Sequence, residues 1–337
     1  MSEAPLLEVR NLAVGFESGG TVARAVDGVS FRVTRGKTLG IVGESGCGKS
    51  VTAFSIMRLL PQPHGKILGG KILFEGRDLV QADEAELHRI RGGRIGMVFQ
   101  EPLSALNPVQ TIGRQVTEAL LLHKPLTKEA AWAEAITLLD KVGIPSPEVR
   151  IREYPHQLSG GMRQRVVIAM ALSCNPSLLI ADEPTTALDV TIQAQILELM
   201  LSLQRDLGMA IVLITHDLGV IAQVCDEAVV MYAGQVAEYG PVEALFHRPA
   251  HPYTRGLLAS IPRLTTPRKS RLPTIEGAVP GLNQMPAGCR YQNRCPYAEA
   301  RCALAPPPLE TVAEGHAVSC LRWRELPEFK PVSPAAV

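Results

Sequence analysis

Apolar and polar residues alternate over Leu6–Phe16 and again over Ala25–Val33. A period of two puts successive side chains on opposite faces, so both segments are predicted strands, separated by the Gly-rich turn Ser18–Gly20. Four short apolar runs follow, at Thr38–Val42, Ile95–Phe99, Leu178–Ala181 and Ile211–Ile214. Short, mainly apolar runs of this length suit parallel strands covered on both faces, although periodicity alone does not exclude helix. Helical patterns lie between some of them. One covers Ser50–Leu60 and is stopped by Pro61 and Pro63; others cover Glu129–Val142 and Ile192–Leu207. Strands alternating with helices predict an α/β core on a mixed, largely parallel sheet.

Two segments depart from that rhythm. About 103–165 reads as a helical subdomain inserted into the core, with breaks at Pro108, Pro125, Pro145 and Pro147. After Gly240-Pro241 the composition shifts, and 262–309 is rich in proline with little periodicity. The predicted division is a core domain over 1–245 and a loop-rich extension over 246–337. No internal repeat is found.

Composition narrows the class. Hydrophobic residues are 46% of the chain and the formal net charge is +1, so a large core is available without a basic footprint for nucleic acid. Met1–Leu12 has no basic segment leading into an apolar core, so no signal peptide is expected. The apolar runs fall well short of the roughly 18 residues that span a bilayer, which predicts a soluble or peripherally attached chain. Four of the seven cysteines, Cys289, Cys295, Cys302 and Cys320, crowd into the tail. In a reducing compartment such a group favours metal binding over disulfides.

The chemistry begins at Gly43-Glu44-Ser45-Gly46-Cys47-Gly48-Lys49-Ser50, followed by Val51, which fits the phosphate-loop pattern. Its glycines let the backbone turn successive N–H groups toward an anion, and the helix that follows offers its positive end. Lys49 would neutralise the β- and γ-phosphates of ATP, and the Ser50 hydroxyl would ligate Mg²⁺. At the end of the run Leu178–Ala181 stand two adjacent carboxylates, Asp182 to hold Mg²⁺ and Glu183 to polarise the attacking water. A solvated turn is the competing reading of such a pair taken alone. Ser159-Gly160-Gly161, ahead of Val166–Leu172, reads as a helix cap that exposes backbone N–H groups, hence a second anion site or simply a Gly-rich helix entry.

The segment Leu158–Gln164 resembles the signature of ABC-transporter ATPases, with Met162 where the commonest pattern has Gln. The order of phosphate loop, Gln100, signature, Asp182–Glu183, Asp189 and His216 is similar to that family over about 6–245. The resemblance implies a P-loop ABC ATPase domain that works as a dimer, two chains sandwiching two ATP molecules. Each site would combine one chain's phosphate loop with the other's Ser159–Gly161. It further implies that Gln100 reaches Mg²⁺ and the attacking water and that His216 contacts the γ-phosphate. Asp189, in Ala187-Leu188-Asp189, would face the dimer interface. Phe16, 27 residues before Gly43, would stack on adenine, with a core strand aromatic as the competing reading. Cys47 replaces the more usual Ser, a nearly isosteric change.

Tyr232-Ala233-Gly234-Gln235, Arg248–Thr254, Gly256-Leu257-Leu258, Gly288-Cys289 and Arg294-Cys295-Pro296 resemble the dipeptide and oligopeptide importer ATPases. That likeness implies a motor subunit on the cytoplasmic face of the membrane. Its implied partners are a second, different ATPase subunit, two integral membrane permease subunits and an extracytoplasmic solute-binding protein. Nickel import is the alternative within the subfamily. A soluble ABC-type ATPase acting on ribosomes or DNA is a further alternative, disfavoured by the single phosphate loop and the lack of sustained heptads. For the tail cysteines, four thiolates suit zinc or an iron–sulfur cluster. The intervening gaps of 5, 6 and 17 residues contain no close pair of the kind zinc sites use. The spacing favours a [4Fe–4S] cluster, as does the resemblance, since some peptide-importer ATPases carry one there; zinc and four unliganded thiols are the alternatives.

Overall fold

The computed structural model describes residues 4–101, 105–186, 188–261 and 273–329. The strands are β1 Leu7–Ser18, β2 Thr21–Val33, β3 Thr38–Val42, β4 Gly65–Phe74, β5 Arg77–Asp78, β6 Ile95–Val98, β7 Leu178–Asp182, β8 Ala210–Thr215, β9 Glu227–Tyr232, β10 Gln235–Pro241, β11 Glu310–Ala313 and β12 His316–Val318. The chain divides into two compact units. One holds 1–33, 38–80 and 214–337; the other holds 34–37 and 81–213.

The first unit carries two sheets. β1 pairs antiparallel with β2 and with β4, in the order β2-β1-β4-β5. Strict alternation from Leu7 and Val9 would turn Asn11 inward. A bulge prevents this: Asn11 takes φ +49°, its N–H donates to the Ser30 hydroxyl at 2.8 Å, and Leu12 and Val14 are fully buried instead. The second sheet runs β11-β12-β10-β9-β3. β3 and β9 are parallel, with Val42 opposite Val230, and the remaining pairs are antiparallel.

The helix after β3 covers Lys49–Ile56 and is shorter than the sequence pattern suggests. Its end is set by Arg58 before any proline is reached. Arg58 adopts φ +53°, and its guanidinium donates to the Leu79 and Val80 carbonyls at 3.0 and 2.8 Å. A left-handed residue cannot continue the helix.

The tail is more ordered than its proline content suggests. It contains 3₁₀ turns at Leu282–Gln284, Gln292–Arg294 and Ala300–Ala303, and β12 extends the sheet by pairing with β10. Glu238 on β10, with no exposed surface, anchors the start of this region. Its carboxylate accepts the N–H groups of Ala250 (2.6 Å) and His251 (2.9 Å), and His316 Nε2 lies 2.8 Å from Oε1. A buried carboxylate is tolerated only when its oxygens are satisfied in this way.

In the second unit β6 and β7 are parallel, with β8 beside β7. The helices Ile112–His123, Lys128–Lys141 and Gly160–Leu172 pack on one another, and Val116, Leu120, Ala131, Ala135, Val166 and Ile168 are among their buried apolar residues. Among the described residues no helix is long and apolar enough to cross a membrane.

Candidate nucleotide site

The phosphate loop leaves β3 at Gly43, where the chain turns beneath Met231. A Cβ on Gly43 would lie 2.2 Å from the Met231 carbonyl oxygen, and one on Gly48, at φ +102°, would lie 2.9 Å from the Ala25 carbonyl oxygen. Neither position accepts a side chain, so these glycines are dictated by backbone approach. The Gly234 N–H donates to the Cys47 carbonyl at 2.9 Å and ties the loop to the β9–β10 turn. Cys47 is fully buried, and burial pushes its thiol above the ordinary range. Ser45 and Gly46 are exposed at the loop tip, while Ser50 and Val51 are half-buried.

Lys49 is 6% exposed. Its Nζ donates to the Gly43 carbonyl at 2.8 Å and the Glu44 carbonyl at 3.2 Å, with Cys47 Sγ at 4.0 Å. No carboxylate pairs with it among the described residues. An ammonium drawn out of water costs several kcal/mol unless an anion compensates it. Carbonyl dipoles compensate in part, and a phosphate would complete the compensation. The residues present thus fit a nucleotide phosphate.

In the other unit, β7 delivers Asp182, which is 2% exposed, and Glu183, which is half-buried. Glu183 sits at φ +46°. A residue with a full side chain in the left-handed region costs on the order of 1–3 kcal/mol and persists where surroundings enforce it. An unconstrained solvated turn would use Gly or Asn there. Gln100 Nε2 donates to Glu183 Oε2 at 3.1 Å, and the Thr186 hydroxyl donates to the same oxygen at 2.9 Å. Two residues 83 apart in sequence are brought together, and the carboxylate's orientation is fixed.

Ser159 caps the helix Gly160–Leu172, accepting the Met162 N–H at 3.3 Å, and Ser159 and Gly160 are exposed. Asp189 caps Val190–Leu207, accepting the Ile192 N–H at 3.0 Å. The two caps are neighbours. A Cβ on Gly161 would meet Ile192 Cγ2 at 3.1 Å, and one on Gly160 would meet Leu188 at 3.9 Å. Ala187 lies outside the described residues. His216 is exposed on the bend after β8. Its neighbours shape that bend: the Asp217 N–H donates to the Thr215 hydroxyl at 3.0 Å, and Asp217 accepts the Gly219 N–H at 2.7 Å. Phe16 lies on β1 opposite Gly65, half-buried, with its ring edge close to Gly65.

Among the described residues the tail cysteines are gathered without the convergence expected of a metal site. Cys289, Cys295, Cys302 and Cys320 line one cavity of about 20 Å³ with His251 and Tyr291, and none is in a disulfide. Burial, together with the neighbouring cysteines, raises Cys295 and Cys320 to about 11. Among the described residues, however, no three Cys, His, Asp or Glu side chains converge as a metal site requires. The cavity has room for about one water, so the thiols would have to part to admit a cluster.

Against known proteins, the ABC transporter family model matches 26–186, and the model for the oligopeptide/dipeptide transporter C-terminal region matches 237–302. The oligopeptide transport ATP-binding protein OppD of Bacillus subtilis is 51% identical, over 98% of this chain and 91% of the relative. The chain belongs to the ABC-transporter ATP-binding proteins of the oligopeptide/dipeptide family. A second relative of this ABC ATPase, the dipeptide transport ATP-binding protein DppD of B. subtilis, is 52% identical over 94% of each chain. A probable peptide ABC transporter ATP-binding protein of Sinorhizobium fredii is 51% identical over 95% of this chain and 96% of its own length. Among solved structures, the dimeric ABC transporter cassette MJ0796 has a TM-score of 0.63 at 28% identity, covering 70% of this chain and 98% of its own. The ABC ATPase binds and hydrolyses ATP, as the family shows.

Two side chains that reach the phosphate loop went unassigned in the sequence. Tyr253 Oη accepts the Glu44 N–H at 2.9 Å, and Arg294 pairs with the Glu44 carboxylate at 2.6 Å. Both stand inside tail motifs that flagged the family, but nothing in their spacing points to a loop more than two hundred residues upstream.

Proposed function

We propose that this ABC ATPase is the motor subunit of a di- or oligopeptide importer, peripheral on the cytoplasmic face of a membrane. The observation that carries the ATPase half is Lys49, a buried ammonium held by carbonyls at the mouth of a glycine cradle. The peptide half rests on the C-terminal region that this chain shares with peptide and dipeptide transport ATPases. In this reading Lys49 and the loop N–H groups bind the phosphates, while Ser50, Asp182 and Gln100 hold Mg²⁺. Glu183 orients the attacking water, Gln100 reports on it, and His216 touches the γ-phosphate. Phe16 packs against the adenine. The Mg²⁺ supplies charge neutralisation on the phosphates when bound.

The signature Ser159–Gly161 and the Asp189 cap then serve the partner's nucleotide across a dimer, with a second ATPase subunit as the partner. Their exposure and their common placement support this. Two integral membrane permeases and an extracytoplasmic binding protein complete the system. The test is reconstitution of the chain with its candidate permeases and second ATPase. Peptide delivered by the binding protein should stimulate ATP hydrolysis, whereas nickel should not. Ser159→Arg in this chain should reduce hydrolysis while leaving its own nucleotide affinity within about twofold, because the bulky cation enters only the partner's site. Stimulation by nickel alone would select the nickel reading. Hydrolysis by the diluted single chain at the rate of the complex would refute the shared site.

The tail cysteines carry the finer proposal of a [4Fe–4S] cluster, with zinc as the alternative. Their common cavity supports it, and the unconverged side chains oppose it. Anaerobically purified protein should contain about four iron and four sulfide per chain, as the cluster's stoichiometry requires. Metal-free protein with four alkylatable tail thiols would end the proposal.

A further inference from the structure

Glu44, the second residue of the phosphate loop, is engaged at all four of its polar points. Its N–H donates to Tyr253 Oη at 2.9 Å, and its carbonyl accepts from Lys49 Nζ at 3.2 Å. Its carboxylate oxygens accept from Arg294 Nη1 at 2.6 Å and Nη2 at 3.0 Å. This two-pronged arrangement is the strongest and most orienting form of carboxylate–guanidinium contact.

The clamp is itself rigid. The Arg294 side chain is 4% exposed. Its Nε donates to the Glu276 carbonyl at 2.9 Å, its Nη2 to the Ile275 carbonyl at 3.1 Å, and its Nη1 to Tyr232 Oη at 3.3 Å. Tyr253 is fully buried, its ring edge-on to Tyr232 at 4.7 Å and tilted against Tyr291 at 5.3 Å. Arg294 and Tyr253 belong to the region beyond the ATPase core, Tyr232 to strand β9 of the core, and none of them belongs to the recognised nucleotide motifs.

We propose that Arg294 and Tyr253 are positioning residues for ATP binding, acting through Glu44. A glycine-rich loop with an exposed tip loses freedom when it closes on a phosphate, and a loop held in advance loses less. Glu44 is the point of transmission, because the same residue presents a carbonyl to Lys49. The C-terminal segment thereby sets nucleotide affinity. This inference rests on the assignment of Gly43–Ser50 as the nucleotide site.

The test measures Mg-ATP dissociation constants and melting temperatures of the full-length chain and its variants, using displacement of a fluorescent nucleotide. Glu44→Gln, which keeps shape and removes charge, and Arg294→Ala should each weaken Mg-ATP by roughly three- to tenfold. Arg294→Lys should fall between wild type and Arg294→Ala, since it keeps the charge without the fork. The double variant Glu44→Gln/Arg294→Ala should be no weaker than the worse single, because both remove one interaction. The swap Glu44→Arg/Arg294→Glu should bind better than either of its halves. A clamp that merely fastened the tail would lower melting temperature and leave every dissociation constant at the wild-type value. That result overturns the proposal, and Glu44→Gln yields it even if the Arg294 variants fold poorly. Wild-type protein that fails to bind Mg-ATP would instead overturn the assignment of the nucleotide site.

Discussion

Glu183→Gln should lower steady-state ATP hydrolysis by roughly 10²–10⁴-fold, the range a positioned general base contributes, while nucleotide affinity stays near wild type. The substitution keeps the volume and leaves an oxygen to accept from Gln100 and Thr186, whose donors now converge on Glu183 Oε2 at 3.1 and 2.9 Å. What it removes is the negative charge that polarises water. Because Lys49 and the loop are untouched, the variant should accumulate as an ATP-bound, non-turning dimer. Size-exclusion chromatography with ATP and a steady-state phosphate assay measure the two halves of this expectation. Turnover within tenfold of wild type would remove Glu183 from the reaction and return its left-handed backbone to the category of unexplained strain.

Lys49→Met should show a different split. Hydrogen bonds to a charged partner contribute about 1.5–3 kcal/mol, so losing them should weaken Mg-ATP by roughly ten- to a hundredfold. The nucleotide-free protein should melt no lower than wild type. In that state the ammonium is 6% exposed and held by carbonyls without a carboxylate among the described residues, and Met fills nearly the same space without desolvating a charge. A lysine retained only for the fold would behave in reverse, with affinity preserved and melting temperature reduced. Calorimetric titration and thermal denaturation of the same preparation distinguish the two.

Much of the ATPase core was legible in the sequence because its physics is local. A short, mainly apolar run such as Thr38–Val42, stopped at once by Gly43, suits a buried strand, and the structure begins and ends β3 at those residues. The carboxylate pair could be read because it ends such a run. Less visible were features decided at a distance. β4 was missed because Gly65, Gly69 and Gly70 dilute its pattern, although antiparallel pairing with β1 stabilises it. The early end of the first helix depends on Arg58 reaching the Leu79 and Val80 carbonyls. The clamp on Glu44 needs residues 209 and 250 positions away, and no window on the sequence brings them together. Even the ordering of the four cysteines around one cavity follows from turns such as Gln292–Arg294 and from the Cys289 N–H donating to the Cys302 carbonyl at 2.8 Å. Their spacing alone contained neither.

The attachment of β12 to β10 has a consequence for how this chain can be cut. A truncation designed on shorter cassettes, stopping near residue 260, would strip β10 of its outer neighbour and leave a row of main-chain donors and acceptors facing solvent. It would also take His316 away from Glu238, a carboxylate with no exposed surface. The fragment would combine an open strand edge with a buried charge short of one partner, two recognised routes to insolubility. A soluble ATPase fragment is therefore expected to need the C-terminal hairpin, and a gene fusion or epitope is better placed beyond Phe329, because Arg255 contacts both the Pro327 carbonyl and the Phe329 ring.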